Sequence, residues 1–166
     1  MLFRSKTAPD SASLFSLATE SGAVLSQAPE ESIEILNEYG YNLGIAFQVV
    51  DDLLDFTGTE KEMGKPIGSD LAQGTLTLPA MLLLERYPQN NPVEELFSNR
   101  DMAEAEKQKV VKQAIDLVRS SGIVKQCHEV AAEYCAKACR RLKLLPDSPS
   151  RQALEDLADL VISRKR

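Results

Sequence analysis

The stretch Gly44–Asp55, which reads G-I-A-F-Q-V-V-D-D-L-L-D, decides how this sequence folds. In an α-helix each residue advances about 100° around the axis, so residues three and four positions apart share a face. Five residues fall on one such face, and the other directions are apolar. The five are Asp51, Asp52, Asp55, Gln48 and Gly44. A helix that is apolar on nearly every side is buried, and carboxylates on a buried helix need a partner.

A hard divalent cation is the simplest partner for these carboxylates. Mg²⁺ fits best, because it binds one or two carboxylates together with substrate phosphates and keeps several waters. In this interpretation Gly44 leaves room for a ligand beside the backbone, and Gln48 adds a hydrogen bond. The alternative is a solvated acidic face, or a charge cluster stabilised by a helix N-terminus. The acids lie within an apolar run and not at an exposed helix start, which favours a metal–diphosphate site.

The motif F-Q-x-x-D-D-x-x-D at Phe47–Asp55 resembles the second aspartate-rich region of trans-isoprenyl diphosphate synthases. G-K-P, D-L and T-L-P follow it, and L-L-P-D-S-P lies at Leu144–Pro149. The likeness is closest to long-chain members that make polyprenyl tails for quinones. It runs from about Ser13 to the end of the chain and corresponds to the C-terminal half of the usual family protein.

The resemblance implies an all-α fold, the C-terminal portion of the isoprenoid-synthase helical bundle, with about six helices. Residues 1–166 would form the C-terminal part of a single polyprenyl synthase domain, and residues 1–12 depart from the family pattern. It also implies prenyl transfer, in which an allylic diphosphate is condensed with isopentenyl diphosphate and Mg²⁺ is the cofactor. Homodimers, or heterodimers with a prenyl synthase chain, are expected.

The resemblance assigns roles to individual residues of the chain. The metal ligands, direct or through water, would be Asp51, Asp52 and Asp55. The residues implied to act in catalysis are Asp51, Asp52 and Lys65, the last from the G-K at Gly64-Lys65. The residues implied to contact the substrate are Gln48, Lys65, Lys6 and Thr7. None of them acts as a nucleophile.

The beginning of the chain departs from the family. Lys6-Thr7-Ala8 resembles a K-T-A triplet whose lysine contacts the allylic diphosphate. In the family this triplet runs straight into a helix like Ser13-Leu14-Phe15, but here Pro9–Ala12 intervenes. Either Lys6 is displaced from the site, or the first ten residues do not correspond to those of the family. Proline cannot lie inside a helix but can open one.

Periodicity and capping signals predict the other elements, and no β alternation occurs. The predicted helices are Leu14–Leu25, Glu30–Phe56, Leu78–Arg86, Asp101–Arg119, Ile123–Leu145 and a last one that Ser148 caps. The predicted connections are Thr57–Gly74 and Asn90–Asn99. The tail Arg164-Lys165-Arg166 resembles basic C-termini that close over the active site in some relatives. We interpret it as a charge cluster favoured by the dipole of the last helix.

Composition limits the classes of function and the compartment. The net charge of −6 argues against a nucleic-acid surface. The longest uncharged stretch, Leu71–Leu84, is too short and too interrupted for a transmembrane segment, and no apolar signal-peptide core follows Met1. The cysteines are odd in number and favour reduced core residues: Cys127, Cys135 and Cys139. We expect a cytoplasmic protein, or a plastid or other organelle-matrix protein if the source is a eukaryote.

A complete site of the family needs a second, facing aspartate-rich helix. No other D-D-x-x-D-like motif and no G-K-x-x-R-P-like segment occurs in the sequence. We therefore expect the chain to be inactive alone. It would be a C-terminal fragment, a truncated gene product or one member of a split enzyme. The alternative is a non-catalytic subunit that binds a full-length partner in a heteromeric prenyltransferase.

Overall fold

The structure is a computed structural model that describes residues 8–64, 66–99 and 101–164. Within these ranges every regular element is an α-helix, which confirms the all-α class. The helices are α1 (Ala8–Leu25), α2 (Glu30–Thr57), α3 (Glu60–Met63), α4 (Ser69–Ala72), α5 (Leu78–Arg86), α6 (Pro92–Ser98), α7 (Glu104–Ser120), α8 (Ile123–Leu142) and α9 (Pro149–Ser163). The six predicted helices are present, and three short ones, α3, α4 and α6, lie in segments predicted as connections. None of the described helices has the length and apolar character needed to cross a membrane.

Helix α2 is the centre of the fold. Helices α1, α5, α7, α8 and α9 pack around it, and the prediction of a buried helix over Glu30–Phe56 is confirmed to within one residue. Its C-terminal end is closed by Arg119 of α7, which donates hydrogen bonds to the carbonyl oxygens of Phe56 at 2.8 Å and Gly58 at 3.2 Å. A cation at this position satisfies carbonyl groups that have no partner within the helix.

Helices α1 and α2 approach each other closely at two glycines of α2. A Cβ at position 44 would lie 2.7 Å from the Cα of Ala12 and 2.9 Å from the carbonyl oxygen of Ser11. A Cβ at position 40 would lie 2.6 Å from the carbonyl oxygen of Phe15. The expectation that Gly44 leaves room for a ligand is therefore wrong. The backbone of α1 fills that space, and the missing side chain sets the distance between the two helices.

Helix α1 begins at Ala8, six residues before the predicted start, and so includes the segment Pro9–Ala12. Proline is tolerated there because the amide groups of the first turn have no partner within the helix. On the side away from α2, four apolar side chains are 51% to 84% exposed: Leu14, Leu17, Val24 and Leu25. We call these four residues the α1 stripe. Exposed apolar side chains that recur along one helix are typical of an interface.

The C-terminal helices complete the core. Ser148 caps α9 as predicted, since its Oγ accepts a hydrogen bond from the Arg151 amide at 3.1 Å. The hydroxyl of the buried Tyr39 donates to the carbonyl oxygen of Leu154 at 2.8 Å, which joins α9 to α2. The three cysteines are free, two are buried and one is partly buried, as predicted. Burial raises the pKa of Cys127 and of Cys135 to about 12.

Candidate active site

We call Asp51–Asp55 of α2 the acidic segment. Its three aspartates lie in different environments. The side chain of Asp51 is 42% exposed, whereas Asp52 and Asp55 are only 2% and 1% exposed. Across the described residues, no three His, Cys, Asp or Glu side chains are grouped so that they could hold a metal ion by themselves. Among the described residues, at most two side chains of these four types could therefore bind one metal ion here.

Asp52 is connected to α1 by a chain of two hydrogen bonds. The hydroxyl of Ser11 donates to Gln48 Oε1 at 2.5 Å, and Gln48 Nε2 donates to Asp52 Oδ1 at 2.7 Å. Gln48 thus makes a hydrogen bond, as the sequence suggested, and its partner is a carboxylate of the protein. Ser11 was not among the predicted site residues, although it lies in the segment that departs from the family pattern.

Two buried oxygen atoms, one of them in Asp52 itself, lack a hydrogen bond from the described residues. Among the described residues, Asp52 Oδ2 and Thr77 Oγ1 are both buried and unpaired. Thr77 directly precedes Leu78, the first residue of α5, whose backbone amide interacts with Asp52. A buried polar atom without a hydrogen bond from the protein is uncommon, and it is a place where an ion or a water molecule can bind.

The protonation of Asp52 is shifted strongly. Burial raises the pKa of Asp52 to about 7. The negative charges of Asp70 and Asp51 contribute to this rise in pKa, whereas the hydrogen bond from Gln48 and the amide of Leu78 oppose it. An acid that is buried among other acids takes up a proton or a cation. Asp70, which was not among the predicted site residues, belongs to this group, and the D-L pattern after G-K-P was the available signal.

Asp55 holds the segment after α2 in place. Its Oδ1 accepts from the Ser69 hydroxyl at 3.1 Å, and its Oδ2 accepts from the Asp70 amide at 3.0 Å. Its backbone carbonyl accepts from the Gly68 amide at 2.8 Å. Both carboxylate oxygens of Asp55 thus anchor the start of α4, which makes them less available to a metal than those of Asp51 or Asp52.

Arg164 lies on the outer side of α2. Its Nη1 is 3.8 Å from Asp51 Oδ1, and its guanidinium carbon lies 4.7 Å from the centroid of the Phe47 ring. That ring packs in turn against Phe15 at 5.2 Å between centroids. Arg164 lies at the end of the last helix, where the charge cluster was predicted, and its side chain extends to α2. Helix α9 ends at Ser163, and the Arg164 side chain turns toward α2 because an acid and an aromatic ring lie there.

The structure thus brings Gln48, Asp51 and Asp52 together on one part of α2, with Asp55 one turn further on. The other predicted site residues, Lys6, Thr7 and Lys65, lie outside the described residues. Lys165 and Arg166 of the basic tail also lie outside them. The roles of these five residues stay predictions.

The arrangement of helices is that of isoprenyl diphosphate synthases. Heptaprenyl diphosphate synthase from Staphylococcus aureus superposes with a TM-score of 0.84 at 36% identity, over 92% of this chain and 46% of that chain. A polyprenyl synthase from Caulobacter crescentus, crystallised with calcium and isoprenyl diphosphate, gives 0.82 at 36% identity, over the same shares. Residues 2–117 match the Polyprenyl synthetase family, and the chain belongs to that family.

Curated relatives support the same family. The chain is 39% identical over 153 residues to a prenyl transferase of Synechocystis sp., covering 92% of this chain and 45% of that protein. It is 40% identical over 146 residues to the chloroplastic solanesyl diphosphate synthase 1 of Arabidopsis thaliana, covering 88% of this chain and 34% of that protein. The chain therefore spans one third to one half of the length of these relatives.

Proposed function

We propose that this chain provides the C-terminal half of a polyprenyl diphosphate synthase and carries its second aspartate-rich diphosphate site. The reaction would condense isopentenyl diphosphate with an allylic diphosphate. One observation carries the proposal: the acid pair Asp51–Asp52 lies on the central helix, and Asp52 has a raised pKa and a buried oxygen without a partner. Perturbed acids of this kind are typical of functional sites.

The residues present fit Mg²⁺. This ion needs only one or two protein carboxylates when substrate phosphates and waters complete its shell. Asp51 is accessible at its outer oxygen, and Asp52 has one oxygen to offer. We propose these two as the direct ligands. Asp55 already accepts two hydrogen bonds through its side chain, so we assign it a contribution through water.

Each residue of the site would have a distinct task in the reaction. A metal bound here would neutralise charge that develops on the diphosphate as the allylic C–O bond breaks. Gln48 orients Asp52, which must lose its proton before it can bind a cation. Apolar side chains packed around α2 keep water from the buried Asp52, which strengthens charge interactions on that side of the helix. Lys65, Lys6 and Thr7 are proposed diphosphate contacts.

The α1 stripe supports a requirement for further protein. Its four apolar side chains face away from the rest of the described chain, and the chain spans 45% of the Synechocystis relative. We propose that the remaining part of a synthase fold packs against this surface and provides the facing aspartate-rich helix. The alternative of a non-catalytic subunit assigns the aspartates no part in turnover.

Co-expression tests the proposal. The chain would be produced with the part of the Synechocystis prenyl transferase that it does not match, and incubated with farnesyl diphosphate, labelled isopentenyl diphosphate and Mg²⁺. We expect prenyl products from the pair and none from either part alone. Asp51→Asn and Asp52→Asn should each lower turnover about 100-fold or more, since each removes a charge that binds the metal.

Asp116→Asn is the matched control, because Asp116 is exposed on α7 and the substitution is chemically identical. It should leave turnover unchanged. Circular dichroism would show whether each variant keeps its helices. Product from the chain alone would contradict the requirement for further protein. Normal turnover of both Asn variants at α2 would contradict the assignment of the site and favour the non-catalytic subunit.

A further inference from the structure

We propose that Arg164 is a latch on the acidic segment, which occupies the outer side of Asp51 until a divalent cation displaces it. The proposal rests on the proposed function, because it takes Asp51 as a metal ligand. It adds that the metal-free chain provides its own cation at this position. The competition between Arg164 and the metal would then set how tightly the metal binds.

The contact between Arg164 and Asp51 has the geometry of a displaceable pair. The separation of 3.8 Å is too long for a hydrogen bond, and Nη1 of Arg164 has no hydrogen-bond partner among the described residues although it is buried. Asp51 is 42% exposed, so water weakens the attraction. Partly exposed pairs of this type contribute little to stability. A divalent cation carries twice the charge and can approach the carboxylate more closely.

The ring of Phe47 gives Arg164 its resting position. The guanidinium group lies 4.7 Å from the ring centroid, and the side chain of Arg164 is only 19% exposed. Phe15 of α1 supports the ring from the neighbouring helix. Because α9 ends at Ser163, Arg164 lies outside the helix, and rotation of its own side chain can move the guanidinium group away. The release therefore needs no rearrangement of the core.

Binding of Mn²⁺ alone, measured by EPR spectroscopy of the free ion, tests the latch without any turnover. Arg164→Gln should bind Mn²⁺ about fivefold more tightly, the size expected for loss of an exposed ion pair and a cation–π contact. Phe47→Leu should give a smaller gain of about twofold. Arg140→Gln is the matched control for net charge. Arg140 is exposed on α8, and its charge acts on Glu133 and Lys137. Its substitution should therefore leave the affinity for Mn²⁺ unchanged.

A second measurement follows Arg164 directly. The NMR signal of its Nε–H group should be shifted by the Phe47 ring in the metal-free chain, and saturating Mg²⁺ should move it toward the position of a free arginine. The latch would be overturned if wild type and Arg164→Gln bound Mn²⁺ with equal affinity. It would also be overturned if saturating Mg²⁺ left the chemical shift of the Arg164 Nε–H group unchanged. If Asp51→Asn still weakens Mn²⁺ binding in that case, the proposed function stands. Undiminished binding in Asp51→Asn would overturn both.

Discussion

The inner and outer sides of the acidic segment use the same amino acid in different ways. On the inner side, Asp52 and Asp55 are buried, and their partners are Gln48, Ser69 and the backbone of α4. On the outer side, Asp51 is partly hydrated and faces an arginine at 3.8 Å. The inner acids are parts of the fold, and burial raises the pKa of one of them, Asp52, whereas the outer acid has an exchangeable partner. Identical residues one position apart thus acquire different environments, of which burial is the main cause.

The largest expected effect is on the inner side, where Asp52 makes the free energy of unfolding depend on pH. The pKa of Asp52 rises from 3.8 to about 7 on folding. Below pH 4 the acid is protonated in both states. Between pH 4 and 7 the unfolded chain releases this proton while the folded chain keeps it, so this group lowers the free energy of unfolding as pH rises. The total is up to about 4 kcal/mol.

Asp52→Asn tests this contribution, because asparagine keeps the oxygen that accepts from Gln48 but does not ionise. Urea unfolding of wild type and variant would be compared at pH 5 and pH 7.5. We expect the variant to gain about 3 kcal/mol relative to wild type between these two pH values. Parallel pH profiles would show that Asp52 ionises as readily in the folded chain as in the unfolded one.

An intermediate effect compares Asp55 with Asp51 at one pH. Asp55→Ala removes the acceptor for the Ser69 hydroxyl and the Asp70 amide, and we expect a loss of about 3 kcal/mol in the free energy of unfolding. Asp51→Ala, the matched control, should cost less than about 1 kcal/mol. Urea denaturation at pH 7 measures both. Equal losses would mean that the outer acid is as much part of the fold as the inner one.

The smallest effect concerns the aromatic support of the outer side. Phe47→Leu loses the ring contacts with Phe15 and Arg164, and we expect it to cost about 1 kcal/mol. Combined with Arg164→Gln in a double-mutant cycle, it should show a coupling energy of about 0.5 kcal/mol in urea unfolding. If Phe47→Leu lowered the free energy of unfolding more than Asp55→Ala does, the outer side would contribute more to stability than the inner side, contrary to this prediction.

Local signals were enough to predict most of the helices. Helical periodicity predicted α2 almost to its last residue, and proline at the first turn predicted the starts of α5 and α9. The sequence contains a similar signal for α6, although its segment was predicted as a connection. Asn91 accepts a hydrogen bond from the Val93 amide at 2.8 Å and so caps α6, which Pro92 opens. Such signals act within a few residues, which is why sequence alone can reveal them.

The parts of the site that sequence did not predict depend on distant neighbours. Periodicity showed the direction in which Gly44 faces, but not that α1 would lie there. Arg164 reaches Asp51 from the other end of the chain, and no local rule connects the two. The different partners of Asp51, Asp52 and Asp55 likewise follow from the packing of α4, α5 and α9. Spacing predicted that the acids share one face of the helix, and tertiary contacts give each of them a different environment.

The arrangement of α1 and α2 has a consequence for the order of folding. The two helices are separated by four residues and meet through Gly40 and Gly44, whereas the charge of Asp52 acts on Cys127 of α8, far along the chain. Contacts between near neighbours in sequence form faster than distant ones. The α1–α2 hairpin should therefore assemble while Asp52 is still hydrated, and the arrival of α8 would remove that water. At neutral pH the last stage of folding would then be coupled to uptake of a proton from solvent.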